Sequence, residues 1–118
     1  MKTEEALFED LAEIYDHWVS VAIESTANSE ASLKWTDDPE AFKRLGEVLQ
    51  DTNTMPQFEQ AISELLRGVM HSFLVTLDGG TKLAEKTNLS IADDMGYTLP
   101  KNLHEGFVDF LFETRRLK

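Results

Sequence analysis

A predominantly helical α+β fold in one domain, 1–118, is what this sequence predicts: three long helices, a small antiparallel β-hairpin and a C-terminal helix. Three observations predict it. Apolar residues recur at three- and four-residue steps through three separate stretches before residue 78, which is the period of amphipathic helices. Between Leu89 and Leu99 this period gives way to short apolar pairs on either side of the turn-forming run Asp93-Asp94-Met95-Gly96. A last apolar stripe then opens just beyond Pro100 and Asn102. A chain of 118 residues can bury roughly 60–70% of its unfolded surface around one core, so no staple is needed. It has no cysteine, which excludes disulfides, thiolate zinc sites, iron–sulfur clusters and thiol nucleophiles.

The first helix runs from Glu4 to about Ala27, with Leu7, Leu11, Ile14, Trp18 and Ala22 inward and Phe8, Tyr15 and Val19 widening the stripe. Glu9, Glu13, Asp16, Ser20 and Glu24 fall on its opposite side. A polar loop follows, with Leu33 and Trp35 as anchors into the core. The second helix is announced by Asp38 as N-cap, Pro39 at the first helical position and Glu40 in the first turn. It carries Phe42, Leu45 and Leu49 inward and ends near Asp51. A third helix begins around Pro56 and reaches Leu77; from Val69 onward it is apolar nearly all round, which predicts the central, most buried helix. Gly79 is expected to end it in the left-handed conformation, with Gly80 as a free joint and Thr81 capping a short helical piece to Lys86. Leu89 and Ile91 pair with Tyr97 and Leu99 in the predicted hairpin, Gly96 taking positive φ. Asn102 and Glu105 resemble a capping box for the last helix, which buries Leu103, Phe107, Phe110 and Leu111. Val108 and Phe112 lie on its other side, and a homodimer would form through them.

Net charge is −11 and unevenly spread. Residues 1–40 hold 11 acids against Lys2 and Lys34, a net of −9, whereas residues 41–118 hold 11 acids and nine bases, a net of −2. Such a surface repels phosphate backbones and anionic lipid, so neither nucleic acid nor membrane is an expected partner. A basic protein is. Glu9, Glu13, Asp16 and Glu24 are the expected contact residues, with Glu30, Asp37, Asp38 and Glu40 extending the field. The N-terminal run MKTEEALFEDL lacks a signal peptide's apolar region, and no stretch approaches the roughly 20 apolar residues of a spanning helix, which together predict a cytoplasmic protein.

No cofactor or metal is expected. The glycines of HSFLVTLDGGTKL follow a helix, not a strand, and lack the earlier glycine of a phosphate loop. Glu64, His71 and Asp78 share one stripe of the third helix, but steps of seven residues separate neighbours by about 10.5 Å, too far for one ion. There is no nucleophile elbow, and Ser72 points about 100° away from its neighbour His71. Asp78 stands at a helix C-terminus, where the dipole disfavours an anion; an Asx-turn onto the amide of Gly80 or Thr81 accounts for it.

The residues His71, Phe73, Thr76, Leu77, Asp78, Gly79, Gly80 and Thr81, followed by a hairpin and then by Leu103, His104, Glu105, Phe107, Leu111 and Thr114, resemble a family of small acidic bacterial proteins. The resemblance covers roughly residues 65–118 and implies no activity. It singles out His71, Asp78, His104 and Glu105 as one pocket cluster, and it implies a glycine where this chain has Arg115. Two functions follow as expectations. The first is a non-catalytic interaction or inhibitor protein, of the kind that neutralises a basic toxin, using its acidic surface. The alternative is a small-ligand or metal-binding protein, enzymes included, with its site near His71, Asp78 and His104.

Overall fold

The computed structural model describes residues 3–28, 31 and 33–116. Among them the chain is all-α. Its helices are α1 (Thr3–Ala27), α2 (Pro39–Asp51), α3 (Met55–Leu77) and α4 (Leu103–Glu113), with a 3-10 turn at Lys82–Glu85 between the last two. The backbone forms two compact units, Met1–Ile14 with Arg67–Lys118, and Tyr15–Leu66. Glu30 lies outside the described residues.

The first unit is built on α4, whose Leu103, Phe107 and Leu111 at steps of four bury their side chains almost completely. Phe8 and Ala12 of α1, Leu74 of α3 and Leu99 complete this core. The Phe8 ring packs at 6.0 Å from Phe107 and 6.2 Å from Phe110. The buried line of α1 therefore runs through Phe8 and Ala12, with Leu7 and Leu11 only partly covered. Ile14 and Trp18, expected inward, are exposed. The same correction applies more strongly to α3, of which only Leu74 is buried, while Leu65, Val69 and Phe73 are about two-thirds exposed. Apolar character on all sides measures what a helix could bury; coverage depends on the neighbours available.

The hairpin is overturned. Its two arms meet in one isolated bridge, Ala92 with Thr98, and no strand forms among the described residues. Leu99 N–H still donates to Ile91 O at 2.8 Å and Asp93 N–H to Tyr97 O at 2.9 Å, and Gly96 does take positive φ, +86°. The turn is held by a side chain instead of a ladder: Asp93 Oδ1 accepts the N–H groups of Met95 and Tyr97, and its Oδ2 accepts the Thr3 hydroxyl at 2.6 Å. A two-stranded ribbon is marginal in water, and here Leu99 enters the helical core.

In the second unit the capping signal is realised as read: Asp38 accepts the Ala41 N–H at 3.1 Å and Pro39 opens α2. Trp35 stacks edge-on between Trp18, at 5.7 Å, and Phe42, at 5.0 Å, making a surface aromatic cluster in which both tryptophans stay partly exposed. The inward face of α2 is Gly46 and Leu49, with Leu45 exposed. Gly46 lies against the Thr26 carbonyl, and Gln50 Nε2 donates to Ala27 O at 3.2 Å, satisfying an orphan carbonyl at the end of α1.

Three helices end in the same paired bonds. After α2, α3 and α4 the residue in the left-handed region is Asn53 (φ +55°), Gly79 (φ +86°) and Arg115 (φ +60°). The following N–H then reaches back, from Thr54 to Leu49 O, Gly80 to Val75 O and Arg116 to Leu111 O, at 2.8–3.0 Å. Asparagine and glycine suit that conformation and arginine does not. Arg115→Gly is expected to stabilise the protein by about 1 kcal/mol in urea unfolding. A destabilised variant would show that contacts of the arginine side chain outweigh its backbone strain.

Candidate functional site

The end of α3 sets the geometry. Gly79 N–H donates to Thr76 O and Gly80 N–H to Val75 O, which turns the chain sharply and leaves Asp78 just beyond the helix. Gly80 is no free joint, because a side chain there would press on Val75 Cγ1 at 2.7 Å. Asp78 does not fold back onto Gly80 or Thr81. Its carboxylate reaches the N-terminus of α4, where Oδ1 accepts the Leu103 N–H at 3.0 Å and Oδ2 accepts the His104 N–H at 2.8 Å. Asn102, placed by sequence to cap this helix, makes no side-chain cap bond. The anion misplaced at the end of one helix is thus well placed at the start of another, where amides and dipole both favour it.

His104 Nδ1 also meets Asp78 Oδ2, at 2.5 Å. Because a carboxylate can only accept, Nδ1 carries the proton and Nε2 is turned away, towards Glu105 Oε1 at 3.9 Å. The His71 ring stands edge-on to His104 with centroids 5.4 Å apart. The four residues singled out in sequence therefore do converge. Burial of the Asp78 side chain, 3% exposed, would by itself raise its pKa. Hydrogen bonds from His104 and Leu103, with the nearby His104 charge, outweigh that and hold the carboxyl below its ordinary range.

An Asp–His pair can orient an imidazole for proton transfer, but that chemistry also needs room for a substrate. The cavity beside Asp78, lined by Leu77, Leu99, Pro100 and Leu103 among others, has a volume of only about 10 Å³, enough for one water. Among the described residues no three His, Cys, Asp or Glu side chains come together in a way that would hold a metal ion.

The acidic residues expected to contact a partner are all exposed: Glu9 and Glu13 in the first unit, Asp16 and Glu24 in the second. On α4, Phe112 is exposed and Val108 half-buried. No helix among the described residues is long and apolar enough to cross a membrane.

A further feature escaped the sequence reading. In the first unit a groove of about 290 Å³ is lined wholly by apolar residues: Leu7 and Leu11 from α1, Val69, Met70, Phe73, Leu74 and Leu77 from α3, and Ile91. Leu7, Leu11 and the α3 residues from Val69 to Leu77 were legible as apolar and taken for core, and Ile91 was taken for an arm of the hairpin. The signal present was the excess itself, since a helix apolar all round needs more covering surface than the rest of this chain offers. Compared with protein-family models, curated proteins and solved structures, the chain matches none of them.

Proposed function

We propose that this chain is a non-catalytic interaction protein that docks a basic protein partner on the acidic surface of α1, in the manner of a small cytoplasmic inhibitor shielding a basic toxin. The observation that carries this reading is the run between Lys2 and Lys34, which holds eight acids and no lysine or arginine. On an ordinary solvated helix, acids alternate with bases at i, i+4. Here Glu9, Asp10 and Glu13 are exposed on one helix with no lysine or arginine one turn away along it, a layout that raises association rates with a positively charged protein and repels nucleic acid. At the alternative site of His71, Asp78 and His104, both Asp78 oxygens accept from the N-terminus of α4.

Charge reversal tests the proposal. In Glu9→Lys/Glu13→Lys/Asp16→Lys, capture of basic proteins from a bacterial lysate at low salt should be lost. The stability of the variant should change by only about 0.5 kcal/mol per exposed site. Capture by the parent should also fall at high salt, as screening weakens exposed charge pairs. Capture that survives both the reversal and high salt would sink the proposal.

A further inference from the structure

We infer that a cavity of about 250 Å³ at the end of α1, in the second unit, receives an arginine side chain of the basic partner, with the Glu24 carboxylate as its counter-ion and the Trp35 indole as its aromatic wall. This rests on the reading above and names one contact of that partner. Val21, Glu24 and Ser25 of α1 line the cavity, together with Ala31 and Trp35 of the following loop. Drug-sized ligands fill pockets of about 300–1,000 Å³, so a space of this size suits one long side chain.

Three features favour a cation there. Glu24 is exposed and makes no ion pair among the described residues. Glu24 and Ser25 belong to the last turn of α1, which holds no basic residue, and the negative end of a helix dipole attracts positive charge. Trp35 is the third, because an indole is the strongest aromatic partner of a cation. A guanidinium both stacks on such a ring and pairs with a carboxylate through two N–H groups. The Trp35 ring is 47% exposed, yet Trp18 at 5.7 Å and Phe42 at 5.0 Å hold it edge-on, so little side-chain freedom remains to be lost on binding. The chain's own bases nearest in sequence are Lys34, beside Trp35, and Lys43 and Arg44 of α2. None of them lines this cavity, although Lys43 lines a separate one that also touches Ser25. An anionic ligand would be repelled by Glu24, and an apolar one would desolvate it without a counter-charge.

The test titrates a glycine–serine peptide with one central arginine into the nitrogen-15-labelled full chain at low salt, followed by amide NMR shifts. The Glu24 and Ser25 amides and the Trp35 indole N–H should shift and saturate. Glu24→Gln and Trp35→Leu should each raise Kd about tenfold while circular dichroism stays that of the parent. Glu9→Gln, which removes one charge elsewhere on α1, should change Kd less than about twofold. A peptide with citrulline, which keeps the shape of arginine and lacks its charge, should bind about tenfold more weakly, and a lysine peptide about threefold more weakly. If the shifts fall on Glu9, Glu13 and Asp16 instead and Glu24→Gln leaves Kd unchanged, the cavity assignment falls while acidic docking stands. If the citrulline peptide binds the cavity as tightly, its occupant is no cation, and the charge-reversal capture alone decides acidic docking. A lysine peptide as tight as the arginine one overturns the choice of arginine. Sedimentation as a dimer that Glu24→Gln makes monomeric would give the cavity to a second copy. Absence of any saturable shift with the arginine peptide overturns the proposal outright.

Discussion

Asp78→Ala is expected to destabilise the protein by about 3 kcal/mol, far more than an exposed loop aspartate would. The carboxylate caps two N–H groups at the start of α4 and holds the His104 ring, with its side chain nearly inaccessible. Removing it leaves those donors without their acceptor next to Leu103, which lies in the core. Asn102→Ala is the control, expected to stay within about 0.5 kcal/mol because Asn102 makes no side-chain cap bond. Urea unfolding of both variants decides which residue caps the helix, and an Asn102→Ala loss larger than that of Asp78→Ala would reverse the assignment.

The same carboxylate predicts a pH dependence. Its folded pKa lies below the unfolded value of about 3.9, so the unfolded chain binds the proton more readily. The stabilisation is therefore complete above about pH 4–5 and is lost as pH falls through the folded value. Asp78→Asn should be less stable than the parent at neutral pH, and the difference should shrink on the acid side. A difference that stays constant down to pH values where the protein unfolds would mean that the charge of Asp78 contributes nothing.

Gly46→Ala is expected to destabilise by about 2–3 kcal/mol, although alanine is the better helix former by about 1 kcal/mol. A Cβ at this position in α2 would collide with the backbone carbonyl oxygen of Thr26 in α1. A backbone atom cannot rotate away, so α2 would have to move away from the Thr26 carbonyl. Gly68→Ala is the matched opposite: an added Cβ meets nothing within 4 Å on an exposed turn of α3. It should gain up to about 1 kcal/mol. Thermal melts of the two variants should move in opposite directions, and a stabilised Gly46→Ala would mean that α2 moves away from the Thr26 carbonyl without cost.

The four helices were legible because the information for them is local. Asp38 caps the helix that begins at the next residue, accepting the N–H three residues on, and apolar periodicity needs no partner to be read. The convergence of His71, Asp78, His104 and Glu105 was legible only as a grouping, without its geometry. Asp78 and Asn102 show why. Both are good caps by residue type, and which one meets the α4 amides depends on where α3 delivers Asp78, 25 residues earlier in the chain than Leu103. The hairpin failed for a related reason: Asp93 supplies the turn's acceptors from a side chain, and Leu99 pairs its burial with helices.

What the sequence by itself determined is the set of helices, the Asp38 cap of α2 and the acid-rich N-terminal third, all properties of residues within a turn or two of one another; the caps expected from Thr81 and Asn102 make no side-chain cap bond. Only the tertiary structure decided which apolar residues are covered. Leu74 and Val69 are equally apolar on the same helix, yet one is 2% and the other 67% exposed. Burial is a contest among faces for a limited area of neighbouring surface, and its outcome is a property of the packed chain.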